Sequence, residues 1–351
     1  MIGYGKQYID EDDIKAVEEV LRSDYLTCGP KVQEFEEKFA DYVNSKYAVA
    51  VSNGTAALHL LALATKPKHT VVPDITFMAT ANAFAHTGSQ IHIQDVEDTQ
   101  PMLPPTQFPE DSLIVPVHMA GFPVQIDKYY TRTIEDACHA LGAIWKDSKD
   151  TWHKVGDCSY SLASVFSFHP VKPITTGEGG MITTNDKALY EKVKQLRSHG
   201  IEDNKYTMNY IGLNYRMTDI QAALGISQLM KIDRFTRRRR EIAKTYDKYL
   251  IGLTAMTPYS WQLPSYHLYT IRVKNRNLVR KALHDKGIGT QIHYKPLHQL
   301  EYYNRKTNKM MNIMKYKNAN AWYREELSIP IYYGLTDEEV RYIIDTILSY
   351  V

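Results

Sequence analysis

The chain has 351 residues, a formal net charge of +2, and hydrophobic and charged fractions of 44% and 23%. Those values fit an ordinary globular protein with room for two or three domain-sized units, able to bury a core without disulfide or metal staples, and the near-neutral balance offers no footprint for nucleic acid or an anionic membrane. No apolar run approaches a membrane span, the opening MIGYGKQYIDEDD lacks the basic and apolar regions of a signal peptide, and Cys28, Cys138 and Cys158 show no CxxC spacing, so reduced thiols and a cytoplasmic location are expected.

Residues 9–24 have a helical period, with acids crowded at the start where they suit the helix dipole. The turn LTCGP follows at 26–30, then a second amphipathic helix, VQEFEEKFADYV. YAVAVS (47–52) reads as a strand running into NGTAALHLLALA, a helix that opens on Asn53 and Gly54. A tight connection without glycine at 67–69 leads to a strand in TVVPD, a helix in TFMATANAFAHT and a strand in IHIQDV. Further strands are expected at 112–119, at 131–136, at 158–169 and in GGMITTND. Strands alternating with helices predict a mostly parallel, doubly wound α/β sheet. Residues 217–250 read as one long helical stretch, and the remainder mixes strands (YHLYTIRV) with helices (RNLVRKALHDKG, DEEVRYIIDTILSYV). The expected division is a large domain over 1–235 and a smaller α+β domain over 236–351. Arg237, Arg238, Arg239 and Arg240 lie within the helical stretch; consecutive positions spread around a helix, so four arginines do not make a nucleic-acid face.

The stretch FSFHPVKPITTGEGG sets Lys172 among prolines, a histidine and glycines. A lysine amine is nucleophilic only when neutral, and burial or neighbouring cations make it so; carbonyl compounds then trap it as a Schiff base. Such a lysine belongs to aldolase-type enzymes or to enzymes of pyridoxal phosphate (PLP). PLP also needs an acid at its pyridine nitrogen, an anion site for its phosphate and a flat surface under its ring. Asp136 ends a predicted strand on the side where open α/β sheets bind ligands. Ser52-Asn53-Gly54-Thr55-Ala56 carries a strand into a helix N-terminus, where free amides bind phosphate, and Ser167 adds a hydroxyl. Phe77 offers the flat surface. Each has a plainer reading: a helix cap for Asp136 and Asn53, a strand serine for Ser167, a core ring for Phe77.

The ordered set SNGTAAL, TFMATAN, IEDACHALGA, FSFHPVK…TTGEGG and LNYRMTDIQAALG resembles the DegT/DnrJ/EryC1/StrS nucleotide-sugar aminotransferases over nearly the whole chain. The resemblance implies the PLP-dependent aspartate aminotransferase fold (fold type I) and a homodimer with shared active sites. It gives Lys172 the Schiff-base role and Asp136 the pyridinium partner. Gly54, Thr55, Ala56 and Ser167 match the phosphate site, and Phe77 the stacking ring. His139 lies near the ring, or packs against a helix. Asn214 reaches the phosphate from the partner subunit, or is a turn asparagine, and Arg216 lies near the same interface. The family's glycine–aspartate turn before TFMAT is replaced here by TKPKHTVVPD, away from the motif residues.

Lysine at 172, where one branch of the fold has a histidine and dehydrates sugars, implies amino transfer. L-Glutamate is the expected donor, with pyridoxamine phosphate between the two half-reactions. The form of the FHPVK…GEGG stretch is similar to that of enzymes acting at C4, which implies UDP-4-keto-6-deoxy-D-glucose giving UDP-4-amino-4,6-dideoxy-D-glucose. The alternatives are a UDP-N-acetylated 4-ketosugar of the pseudaminic acid type, a dTDP-linked sugar, or a binding regulator without turnover. Leu26, Thr27, His293, Tyr294, Lys295, His298, and more remotely His118 and His199, are candidates for the sugar and nucleotide, with loop packing as the plainer reading. HExxH is absent and the histidines are scattered, so no metal is expected; GEGG lacks dinucleotide-fingerprint spacing.

Overall fold

A computed structural model describes residues 1–106, 108, 111–129, 132–202, 207–305 and 315–351. Helix α1 (Glu11–Leu21) starts at Asp10, which exchanges hydrogen bonds with Asp13 in a capping box, and α2 (Pro30–Val43) has proline in its first turn. The central sheet follows: β1 (Tyr47–Val51), β2 (His69–Pro73), β3 (Gln90–Gln94), β4 (Ser112–Ile114) and β5 (Ile134–Asp136). Helices α3 (Gly54–Thr65) and α4 (Ala79–Ala85) cross between the early strands. A smaller sheet that the sequence did not announce pairs β6 (Ile144–Lys146) with β7 (Trp152–Lys154) and with Gln262–Leu263. The chain then returns to the main sheet with β8 (Ala163–Ser167) and β9 (Gly180–Thr184).

One ladder runs β1-β9-β8-β5 and another β3-β2-β4; parallel bridges Ile114–Thr133 and Val117–Asp136 join them. Among the described strands of these two ladders only β9 runs against its neighbours. Strands β4, β5 and β9 are buried along their whole length and β1, β2 and β8 at all but one end residue, as strands covered by helices on both faces must be. The carboxyl ends of β1, β2, β5 and β8 therefore open on one edge of the sheet. Each is followed by expected site residues: Asn53–Ala56, Phe77, Asp136 itself, and Ser167.

Several expectations change in detail. The glycine-free connection works because Lys66 takes the left-handed conformation (φ 46°) that closes α3. The strand expected at 112–119 stops at Ile114, since Pro116 has no amide for the ladder. The strand expected at 158–169 begins only at Ala163, and the one expected at 131–136 begins at Ile134, with Thr131 outside the described residues. The long helical stretch is two helices, α5 (Lys187–Arg197) being followed by α6 (Asp219–Leu229) and α7 (Ile232–Tyr249). No glycine or proline marks the break. Lys231 makes it, by pairing its ammonium with Asp10 and, at 3.0 Å, with Asp13.

Helix α7 runs straight through the expected boundary at 235/236. Beyond it lie a strand at Tyr269–Arg272, α8 (Arg276–Asp285), a helix at Lys317–Glu325, a strand at Glu326–Ile329 and a last helix at Asp337–Leu348. The N-terminus joins this region: Ile2 exchanges backbone hydrogen bonds with Gly287 and Gly289. The arginine run is spread around α7. Arg239 is buried, and its guanidinium donates to the carbonyls of Tyr266, His267 and Ile331 at 3.2, 3.3 and 2.8 Å; burial pulls its pKa down to about 10. Arg238 serves Leu335 and Asp337, Arg240 serves Pro264 and Gly142, and Arg237 is exposed.

Candidate active site

The sheet edge opens into a cavity of about 810 Å³, with Gly54, Asp136, Lys172, His267, His293 and Tyr294 among its walls. Lys172 follows β8 in a tight turn, its amide donating to the His169 carbonyl at 2.8 Å. The turn folds back through Phe168, whose amide donates to Gly179 and whose carbonyl accepts from Thr176. Gly180 has to be glycine: a Cβ there would lie 2.6 Å from the Asn53 carbonyl. That close approach seats the lysine loop against the N-terminus of α3. Burial lowers the Lys172 pKa, opposed by the Asp136 carboxylate, so the amine is biased toward its neutral, nucleophilic form.

Asp136 is 5% exposed at the end of β5. Thr80 donates to its Oδ2 at 2.7 Å, and the Cys138 amide to its Oδ1 at 3.2 Å. Since Thr80 gives its one proton to Asp136, Thr76 donates to Thr80 across 2.8 Å. The result is a carboxylate oriented from behind, able to face a ring nitrogen. At the start of α3, Asn53 caps the helix by accepting from the Ala56 amide at 2.8 Å. Among the described residues the Gly54 and Thr55 amides have no such acceptor, and they lie at a helix N-terminus. A Cβ on Gly54 would crowd Cys138 and Ser167 at 3.1 Å, so small residues keep this corner open. Free amides, two hydroxyls, a buried amine and an oriented carboxylate on one cavity fit PLP.

The opposite wall is histidine-rich. His139 accepts from the Ala120 amide at Nδ1 (3.3 Å), so its proton is on Nε2, which donates to the Tyr294 hydroxyl at 3.2 Å. Burial, then the Lys172 charge, pushes its pKa well below the usual histidine range. His267 packs on His139 with ring centroids 4.4 Å apart and is held neutral for the same reasons. His293 is pulled down to about 3 by burial and by Lys172. Burial raises the Tyr294 hydroxyl pKa, so Tyr294 keeps a proton to donate.

The cavity thus brings together Lys172, Asp136, Gly54, Thr55, Ala56, Ser167, His139, Phe77, His293 and Tyr294. Phe77 is 51% exposed at the rim, its ring 5.9 Å from that of Tyr294. Other expected residues lie elsewhere. Leu26 and Thr27 form an exposed turn, with Thr27 bridged to Thr218. Asn214 is exposed and bridged to Ser198, and Arg216 lines a separate cleft with Cys28, Arg197 and His199. Lys295 is exposed and off the wall. His298 is a correction: it is buried against Asp74 (Nδ1 to Oδ2, 2.5 Å) and stacked on Tyr316, so it anchors its loop instead of facing a sugar. His118 likewise is fully buried, bonded to Glu135 and to the Val124 amide, both at 2.8 Å. Sequence reasoning missed Tyr4, Thr76, Cys138 and His267 on the wall, and Thr80 behind it. Thr76 and Thr80 were findable as polar residues one turn apart at the start of an apolar helix. Among the described residues, no three or more His, Cys, Asp or Glu are grouped to hold a metal, and no helix is long and apolar enough to cross a membrane.

Comparison with known proteins points the same way. The DegT/DnrJ/EryC1/StrS aminotransferase family model matches residues 7–348. The UDP-4-amino-4,6-dideoxy-N-acetyl-beta-L-altrosamine transaminase of Campylobacter jejuni is 36% identical over 381 residues, covering 99% of this chain and 97% of its own. The solved structure of Helicobacter pylori PseC, an aminotransferase of pseudoaminic acid biosynthesis, superposes with a TM-score of 0.89 at 32% identity, over 99% of this chain and 98% of that one. The PLP form of Spr1654 from Streptococcus pneumoniae gives 0.90 at 28% identity, over the same shares.

Proposed function

This chain belongs to the DegT/DnrJ/EryC1/StrS aminotransferase family, a PLP-dependent family of fold type I, and from that premise we propose that it moves the amino group of L-glutamate to C4 of a UDP-linked, N-acetylated 4-keto-6-deoxy sugar. Glutamate leaves as 2-oxoglutarate, and the ketosugar leaves as the aminosugar. The names of the Campylobacter and Helicobacter relatives support the N-acetylated substrate over the UDP-4-keto-6-deoxy-D-glucose that the sequence motifs alone suggest. The observation that carries the reading is the half-buried Lys172, its pKa lowered by desolvation, sharing one cavity with Asp136 and with the α3 amides that find no acceptor among the described residues.

PLP, when bound, supplies an electron sink for the Cα–H bond of the donor. Asp136 keeps the ring nitrogen protonated, and Thr80 and the Cys138 amide hold that carboxylate in place. The Gly54 and Thr55 amides and Ser167 would hold the phosphate. Lys172 would anchor the cofactor covalently and would serve as the acid–base group that takes the proton from the donor Cα and, on the sugar half, delivers a proton to C4. The histidine wall and Tyr294 enclose the sugar and exclude water. Leu26, Thr27 and Asn214 are exposed and Arg216 is half-buried, all off their own cavity, which suits a homodimer in which each subunit completes its partner's site.

The test is a panel of UDP- and dTDP-linked 4-ketosugars, with and without the N-acetyl group, assayed for glutamate-dependent amination. Turnover at least tenfold better on the UDP-N-acetylated member is expected. A preference for UDP-4-keto-6-deoxy-D-glucose returns the assignment to the viosamine-type product.

A further inference from the structure

Behind His293 lies a chain of groups with no place in the amino transfer just described. Glu326 and Ser328 alternate on the strand Glu326–Ile329, so their side chains leave the same face. Both are fully buried. Ser328 Oγ lies 2.6 Å from Glu326 Oε1, and His293 Nδ1 lies 2.8 Å from Ser328 Oγ. The other carboxylate oxygen, Oε2, accepts from the His293 amide at 2.8 Å. The His293 carbonyl in turn accepts from Trp322 Nε1 at 3.0 Å, and backbone bonds between Gln291 and Ser328 fix the register of the two segments. His293 is on the cavity wall; Glu326 and Ser328 are not.

The line has only two consistent hydrogen-bond directions. A serine hydroxyl has one proton. When Glu326 is ionised it only accepts, so Ser328 must donate to it, and His293 Nδ1 must donate to Ser328. His293 then has a lone pair on Nε2. When Glu326 is protonated, the proton belongs on Oε1, because Oε2 is taken by the His293 amide. Ser328 then accepts from Glu326 and donates to Nδ1, and His293 has its proton on Nε2. We propose that Glu326 and Ser328 are positioning residues that set which ring nitrogen of His293 is protonated, and hence whether His293 offers the sugar an acceptor or a donor. Tyr294 beside it keeps its proton, so with Glu326 ionised the two neighbours present one acceptor and one donor, matched to a hydroxyl or amide N–H and to an oxygen on the substrate. The substrate half of this proposal rests on the nucleotide-sugar reading above.

The charge around the line makes the switch accessible near neutral pH. Burial pushes the Glu326 carboxyl up to about 8, against the pull of Ser328, the His293 amide and Arg276. Arg276 on α8 reaches the Glu326 carbonyl at 3.2 Å. Arg272, the register partner of Glu326, has its guanidinium over the Trp322 ring. On the cavity side the groups facing His293 are Lys172, which disfavours its protonated form, and the ring of Tyr4.

Infrared spectra of the PLP-loaded protein between about pH 6 and pH 9 test the relay directly. A buried protonated-carboxyl band should fade with a midpoint near 8 in the wild type. It should be absent in Glu326→Gln and displaced in midpoint in Ser328→Ala. In steady state, KM for the UDP-linked N-acetylated 4-ketosugar should fall about fivefold across that range, with kcat changed less than twofold, as one hydrogen bond's worth of binding would give. Glu326→Gln donates through its amide nitrogen to Ser328, mimicking the protonated carboxyl, so its KM should be flat at the wild-type acid value. Ser328→Ala should also be flat. A wild-type band that titrates identically in Ser328→Ala, or a KM inflection that survives in both variants, overturns the proposal. A wild type that responds to glutamate but aminates no nucleotide-linked ketosugar overturns the substrate reading instead, and the infrared midpoint in Ser328→Ala still decides the relay.

Discussion

On one side of the cavity, Lys172, Asp136 and the amides of Gly54 and Thr55 stand where strands and a helix end. On the other, His267, His293 and Tyr294 stand on segments with little regular structure, and side chains from elsewhere hold them: Arg239 grips the Tyr266 and His267 carbonyls, Trp322 the His293 carbonyl, His139 the Tyr294 hydroxyl. The first wall is placed by topology, since parallel strands deliver their carboxyl ends to one edge whatever their side chains. The second wall is placed by a network in which one substitution changes several contacts. Chemistry common to a family belongs on the first wall, and choice of substrate on the second.

The comparison breaks most visibly at Lys172. Lys172→Ala should lower turnover by at least about a thousand-fold, with cofactor still retained by the other contacts; turnover within tenfold of wild type places the proton-transfer group elsewhere. Asp136→Asn removes the carboxylate proposed to face the ring nitrogen, and a loss of about a hundred-fold in the single-turnover rate constant with glutamate is expected. On the second wall, Arg239→Ala leaves three buried carbonyls without their donor and should destabilise the fold by about 3 kcal/mol in urea unfolding. Arg237→Ala, two residues earlier on the opposite face of α7 and exposed, should stay within about 0.5 kcal/mol. Thr80→Val loosens Asp136 without touching its charge, and a decrease in kcat of about fivefold is the corresponding outcome. The smallest effect is on stability at Glu326. Folding raises this pKa from its ordinary 4.5 to about 8, so the stabilisation linked to the proton is complete at acid pH and lost as pH rises through about 8. Glu326→Gln should therefore gain in Tm relative to wild type on going from about pH 6 to about pH 9, by roughly 2 °C or more; a difference independent of pH would refute the raised pKa.

The first wall was legible because its residues are both chemically unusual and local. A lysine among prolines and glycines, an aspartate ending a strand and a small-residue turn opening a helix each announce themselves within a few positions. On the second wall His293 and Tyr294 were legible within HYKPLH, but nothing local separated them from Lys295 and His298, which lie off the wall, and His267 gave no signal. His298 looks like a ligand in that motif, yet Asp74, distant in sequence, claims it. Glu326 and Ser328 give no local signal at all, because alternation on a buried strand looks the same whether it serves packing or a histidine. Distance also hid the break between α6 and α7, which depends on Lys231 finding Asp10 and Asp13 at the other end of the chain. The end of the strand at Ile114 was readable in principle from Pro116.

The central claim is that Lys172 is the covalent anchor and proton carrier of a PLP-dependent amino transfer. Its most direct test is the absorbance spectrum of the PLP-loaded protein before and after L-glutamate, with Lys172→Ala alongside. The wild type should show a long-wavelength band of lysine-bound cofactor, bleached by glutamate and restored by the UDP-linked 4-ketosugar, with no such cycle in the variant. A wild type without that band, or a variant that cycles like the wild type, would contradict that claim.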